Sequence, residues 1–328
     1  MIIYIETQAK SYPLAQKILS KFADAYIIEI DHYKNIFDKT IWVKSLANAI
    51  ILAKQQNIPI FSTPANYGYQ WKSFFFKSIL NCIFDCKYCY LKWAFKTTFP
   101  TIFVNYEDIQ NAIAEKINSL RKSGYNDTIY FYASNYSDIQ WLDDMINFNQ
   151  SFIPFFEKFP NVLMESRTKS ANIKSLLQCN TETSKHFQNT EISFSLNPQL
   201  IIDSFEHKTS SLEQRIDAIN TLISNWWKVW IRFLPLLPVE NHLQIYSDFI
   251  SYIRKKIDFD KINSIFIWSI IYTKSDYNNL VKRWNFIFES KFHEHSDWFM
   301  RIEGSITNDF KLLFTSAFPN KQILFDII

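Results

Sequence analysis

Residues 81–92 read NCIFDCKYCYLK, a run that gathers Cys82, Cys86 and Cys89, three of the chain's four cysteines, at C-x-x-x-C-x-x-C spacing. A zinc ribbon brings a fourth Cys or His at matching spacing, and a disulfide framework spreads its cysteines along the chain. The run does neither. Three thiolates on one short loop suit a [4Fe–4S] cube with three irons held by protein and the fourth left open. The fourth cysteine, Cys179, follows a helical stretch far downstream, where a buried structural role suits it.

Short apolar or β-branched runs alternate with amphipathic stretches on both sides of this loop. Upstream, residues 2–6 and 25–30 read as strands, 13–22 as a helix, 41–56 as a second helix and 58–61 as a further strand, a small α/β unit over residues 1–65. A linker at 64–71 leads into the larger portion, residues 66–328, where strand-like runs fall at 73–79, 128–133, 162–166, 192–196, 229–234 and 264–271. The clearest helix between them is 105–120, with Ile109, Ile113, Ile117 and Leu120 on one face and Asn105 as its N-cap, answered by Asp108. Strands alternating with helices of this length predict a parallel α/β sheet, a partial (β/α)6 barrel of TIM type behind the N-terminal unit. In such barrels ligands meet the loops after the strands. Those loops carry the cysteine run, then Ser134 to Asp138, Arg167 to Lys169, Asn197, the Arg232 segment, and Tyr272 to Lys274.

Composition narrows the classes. The 328 residues are 48% hydrophobic and 18% aromatic with only three glycines, enough apolar material for a large core. The excess of Ile, Phe, Asn and Lys has the look of mutational bias, so the aromatics by themselves do not define a ligand box. A net charge of +3 is far from the footprint of a protein that binds nucleic acid by charge alone. No signal-like start opens the sequence and no apolar run approaches the roughly eighteen residues of a membrane span. Together with an exposed iron–sulfur loop, which needs reducing surroundings, this predicts a soluble cytoplasmic protein without membrane contact.

The cysteine spacing, with an aromatic at Tyr88 before the last cysteine, resembles the signature of the radical S-adenosylmethionine (SAM) superfamily. The ordered series YIETQAKSYPLAQKILSKF, CKYCYLK, FVNYEDI, FYASNYSDIQWLD, RTKSANIKSLL, ISFSLNP and FEHKTSSLEQRIDAI resembles, over nearly the whole chain, the spore photoproduct lyase family within it. The resemblance implies a radical SAM barrel in which Cys82, Cys86 and Cys89 ligate the cluster. It implies that Ser137, Lys169 and Ser195 hold SAM, with Lys169 meeting its carboxylate as a point charge. Tyr88 and Tyr90 match tyrosines of SAM contact and hydrogen relay, against ordinary aromatic packing as the alternative. Asp138 and Glu206 sit in family-like motifs, where an N-cap for Asp138 and a pair with Arg215 for Glu206 are equally natural. A partner reductant such as flavodoxin or ferredoxin, and damaged DNA as substrate, are implied in the same way.

One position departs from the family. Where the lyases carry the cysteine that returns a hydrogen atom to thymine, this chain has Asn135, whose N–H bond is too strong for that task. Tyr132 also stands where the lyases carry an acidic residue. The substrate is therefore thymine damage handled with another hydrogen donor, or a molecule other than DNA. A non-catalytic iron–sulfur sensor and a zinc-stabilised protein are the remaining classes. Around residues 272–284, Lys274, Lys282 and Arg283 interleave with Tyr272, Tyr277 and Trp284, which reads either as a DNA contact or as a solvated amphipathic helix.

Overall fold

The computed structural model describes residues 1–37, 49–63, 72–95, 97, 99–183, 186–284 and 291–326. Its largest element is an eight-stranded sheet. Six parallel strands cross it in chain order: Lys72–Phe75, Ile129–Tyr132, Val162–Thr168, Thr190–Ser195, Lys228–Leu236 and Ser264–Ser269, hereafter the first to sixth barrel strands. Ile323–Asp326 adds in parallel beyond the sixth, and the short strand Phe61–Ser62 pairs antiparallel with the first. The expected partial barrel is present, extended by one strand at each edge.

Parallel neighbours need long crossovers, and the chain supplies helices for them. Tyr106–Lys122 leads from the first to the second strand and buries Ile109, Ile113 and Ile117 almost completely, each burial stabilising by about 1.5–3 kcal/mol. Asn105 precedes this helix, but its side chain does not cap it. It accepts from the Gln55 N–H and donates to the Gln55 carbonyl and to Asp108, because a buried amide between two segments is better satisfied by two backbone partners. Asp138, in contrast, caps Ile139–Ile146 by accepting from the Trp141 N–H at 3.3 Å.

The N-terminal unit contains Ile2–Glu6, Tyr26–Ile30 and the helix Pro13–Lys21 as expected. The helix expected over 41–56 is corrected in its second half. Ala49–Ala53 is a strand with all five residues buried, an apolar run flanked by parallel neighbours on both sides. Residues 41–48 and the linker 64–71 lie outside the described residues. The five-stranded sheet runs Tyr26–Ile30, Ile2–Glu6, Ala49–Ala53, Thr101–Phe103, Ile79–Leu80. Its last two strands come from beyond residue 66, so a division of the chain at residue 65 does not separate the two sheets.

The scarcity of glycine leaves a local signature. Of the nine positive-φ positions among the described residues, five fall to Asn57, Asn81, Asn147, Asn161 and Asn241, with Lys208, Trp226, Trp298 and Gly124 at the others. Asparagine tolerates that region better than other residues with a Cβ.

Candidate active site

The cysteine run begins where the chain leaves the N-terminal sheet at Ile79–Leu80. Asn81 turns it with φ 69°, donates to the Thr97 and Phe99 carbonyls at 2.6 and 3.4 Å, and accepts from the Cys82 N–H at 3.0 Å. Asp85–Cys86 then forms a two-residue antiparallel ladder with Glu206–His207, placing Cys86 opposite Glu206, and the Lys87 N–H donates to the Phe205 carbonyl at 2.8 Å. The loop is thus tied to the segment after the fourth barrel strand.

None of the four cysteines is joined in a disulfide; Cys86 is buried and Cys82 and Cys89 partly so. Burial pushes the Cys82 thiol up to about 12, with the charges of Asp138 and Cys89 adding to the rise. Burial likewise raises Cys86, followed by the effect of Glu206, while Lys169 opposes it. Iron would have to displace protons here to bind. Among the described residues no three His, Cys, Asp or Glu side chains converge as ligands of a single ion. Zinc bonds of about 2.3 Å hold sulfurs within about 4 Å of one another, whereas a cube takes each thiolate on a different iron. The three thiols lie near enough for their charges to influence one another.

Glu206 is the hub beside the loop. One carboxylate oxygen accepts from the Tyr88 hydroxyl at 2.5 Å and from the Asn197 amide at 2.8 Å. The other accepts from Arg215 at 2.7 Å, as expected from the sequence. Burial alone would raise this carboxyl, but Lys169, Arg215 and the two hydrogen bonds outweigh it and hold it at about 2. Arg215 is fully buried and also donates to the Ser195 carbonyl at 2.8 Å and to Ser210 and Thr209. Tyr88 is buried, and the Tyr272 hydroxyl donates to its carbonyl at 2.7 Å.

The candidate SAM residues sit at neighbouring strand ends. Lys169 follows the third strand; its ammonium donates to the Leu234 carbonyl at 3.2 Å, lies 3.8 Å from Glu206 and 5.9 Å from the Tyr88 ring centre. Ser195 closes the fourth strand and is buried. Ser137 is buried and its hydroxyl has no hydrogen-bond partner among the described residues. Next to it, Asp138 accepts from the Thr168 hydroxyl at 2.8 Å and from the Lys169 N–H at 2.7 Å, so it fixes the two loops relative to each other. Burial raises its carboxyl despite these donors.

Asn135 is half-buried on the second-strand loop. Its side-chain oxygen accepts from Arg167 at 3.2 Å, and its carbonyl lies 3.5 Å from the hydroxyl of the exposed Tyr90. Tyr132 is buried inside the barrel with Tyr130 and Trp230, and Cys179 is buried in the helix Lys174–Thr183.

The structure changes the reading of the stretch 272–284. Tyr272 and Tyr277 are buried against Phe292, with ring centres 5.9 and 5.4 Å away, and Lys274 is paired with Glu294 at 2.7 Å. These aromatic faces are used up in packing. The side chains of Arg283 and Trp284 lie outside the described residues. Arg232, expected at the end of the fifth strand, lies buried within Lys228–Leu236 and pairs with Glu165; that partner, and Glu191 on the adjacent strand in register with Glu165, were missed by the sequence reading. Their signal was a charge set in the middle of an apolar strand.

Three comparisons bear on this arrangement. The family model described as spore photoproduct lyase matches residues 77–286. A spore photoproduct lyase of Clostridium acetobutylicum is 25% identical over 288 residues, covering 85% of this chain and 81% of the relative; that of Bacillus subtilis is 25% identical over 226 residues, 66% of this chain and 62% of the relative. A mutant spore photoproduct lyase solved with bound AdoMet and dinucleoside spore photoproduct superposes with a TM-score of 0.82 at 17% identity, covering 99% of this chain and 97% of that one.

Proposed function

The chain belongs to the spore photoproduct lyase family, and from that premise we propose that it is a radical SAM enzyme. In this reading Cys82, Cys86 and Cys89 hold a [4Fe–4S] cluster, while Ser137, Lys169 and Ser195 hold SAM at the open iron. The observation that carries it is the convergence, beside the cysteine loop, of the unpartnered buried hydroxyl of Ser137 with the Lys169 ammonium at adjoining strand ends. When bound and reduced, the cluster supplies the electron that splits SAM into methionine and a 5′-deoxyadenosyl radical. Lys169 orients the SAM carboxylate, and the Glu206–Arg215 pair keeps the loop and the fourth strand end in place. Burial of Cys86 and Tyr88 keeps water from the centre. A soluble reductant of the flavodoxin or ferredoxin class provides the electron, which suits a cytoplasmic protein; no described helix is long and apolar enough to cross a membrane.

The first reading of the substrate is the family's, spore photoproduct, the thymine lesion of DNA. Asn135 sets this chain apart, since its amide is engaged by Arg167 and offers no hydrogen atom. Tyr90, whose hydroxyl reaches the Asn135 carbonyl, is then the group placed to return one. The Arg167–Asn135 contact also favours a second reading, a lyase-like enzyme on a substrate other than DNA, because it puts a cation where the family has a thiol. Anaerobic reconstitution followed by SAM-cleavage and repair assays separates these. We expect SAM cleavage by the natural protein with slow or off-pathway repair, and cleaner thymine formation by Asn135→Cys. SAM cleavage with no repair by either form supports the second reading, and no SAM cleavage at all overturns both.

A further inference from the structure

The first barrel strand ends at Phe75, and Phe76 and Lys77 follow it. Its ammonium lies 4.6 Å from the ring centre of Phe61 and 4.8 Å from that of Tyr136. Phe61 belongs to the antiparallel edge strand and stacks on Phe75 at 5.1 Å and 16°. Tyr136 packs against Phe75 at 5.8 Å and Phe95 at 6.1 Å, and in sequence it stands between Asn135 and Ser137. Lys77 and the four rings are all partly exposed. The result is a cluster of half-exposed rings around a lysine, beside the edge strand of the described sheet, one residue from the position where the family returns its hydrogen atom.

We propose that this site binds a phosphodiester of a DNA strand, with Lys77 on the phosphate and the half-exposed edges of Phe61 and Tyr136 against the flanking nucleotides. Ring faces attract an ammonium but do not neutralise it. Among the described residues no carboxylate faces Lys77; the charge that reaches it is Lys34, on the helix Lys34–Phe37. Burial, and then this second cation, both work against its charge and lower its pKa. Two lysines brought together without an anion lack a counter-ion, and a lysine meets a phosphate as a point charge. A simple carboxylate ligand would satisfy the ammonium and leave the surrounding rings idle. Cations interleaved with half-exposed rings are instead the means by which proteins hold single strands. The alternative nucleic-acid contact at residues 272–284 lacks these features, since Lys274 is already answered by Glu294 and its tyrosines are buried.

The inference deepens the reading of the substrate as DNA and stands apart from the cluster chemistry, so its test uses binding alone. A fluorescent thymine-rich oligonucleotide, single-stranded and as a duplex, is titrated with the cluster-loaded protein across a salt series, and SAM affinity is measured on the same samples. Lys77→Gln is expected to weaken oligonucleotide binding roughly tenfold, as for one charge-assisted hydrogen bond. The slope of log K against log salt should become shallower by about 0.7 for the single strand, or about 0.9 for the duplex, whatever the sequence. Lys77→Arg should keep the slope, and SAM affinity should not change in either. An unchanged slope in Lys77→Gln, or no binding of either DNA form by the natural protein, overturns the assignment while leaving SAM cleavage to be judged on its own. Lys77→Met keeps the packing on the rings without the charge. If it and Lys77→Gln both lose SAM binding, Lys77 is a structural residue and the proposal fails.

Discussion

Replacing Glu191 by Gln should make the protein more stable above neutral pH. Glu191 lies inside the barrel, 5% exposed, and accepts from the Tyr130 hydroxyl at 2.7 Å. Its register neighbour Glu165 is committed to Arg232. Burial, reinforced by the Glu165 charge and only partly offset by Tyr130, Lys228 and Trp230, pushes its carboxyl from the ordinary 4.5 up to about 7. The native state therefore holds a proton that the unfolded chain has already released. A carboxyl raised in this way costs nothing below the unfolded value, and stability is lost as pH climbs from there towards the folded value. A rise of this size corresponds to about 3 kcal/mol, fully expressed above pH ~7. Gln keeps an oxygen for Tyr130, puts an amide in place of the protonated oxygen, and cannot ionise. Urea unfolding of both proteins should give nearly equal stabilities near pH ~4.5 and a gap in favour of Glu191→Gln that opens to about 3 kcal/mol by pH ~8. Curves that run parallel across this range, or a variant that is weaker at the alkaline end, would refute the picture of a buried neutral acid.

Other outcomes follow from the loop and its anchor. Arg215→Met strands the Glu206 carboxylate in the interior and should cost about 3–5 kcal/mol in denaturant unfolding of the cluster-free protein; a cost below 1 kcal/mol would mean that Lys169 alone suffices. Cys86→Ala should abolish the cubane in iron analysis and electron paramagnetic resonance, and a full cluster in that variant would remove Cys86 from the ligand set. Lys169→Ala should weaken SAM binding by calorimetry without loss of iron, and an unchanged affinity would take Lys169 out of the site.

Much of this site was legible because its residues lie in short, ordered motifs. The cysteine spacing, the loop of Ser137 and Asp138, and Lys169 after the third strand could each be located from alternation of strands and helices. Asp138 was foreseen as a cap and Glu206 as the partner of Arg215, since local chemistry decides both. What escaped the sequence depends on contacts between distant segments. The run 49–53 is apolar enough for helix or strand, and only its two parallel neighbours decide the matter. Asn105 carries a cap signature, yet Gln55, fifty residues upstream, claims its side chain. Tyr272 and Tyr277 look like exposed recognition residues until Phe292 is folded against them. The Lys77 cluster joins rings from four separate segments, and no window of sequence contains it.

The cysteine loop is fastened twice, by the Ile79–Leu80 ladder to Thr101–Phe103 on its entering side and by the Asp85–Cys86 ladder to Glu206–His207 in its middle. Each ladder is two residue pairs long, but the first belongs to a five-stranded sheet and the second stands alone. Of the two, the isolated ladder depends more on its surroundings to stay closed. Those surroundings are the side-chain bonds of Glu206 to Tyr88, Asn197 and Arg215, so the middle of the loop is held from the barrel and its entering side from the N-terminal sheet. A chain shortened to begin after Ala53 would keep all three cysteines but lose the three strands on which Thr101–Phe103 and Ile79–Leu80 rest, and its failure to acquire a cluster would be a defect of assembly and not of the ligands.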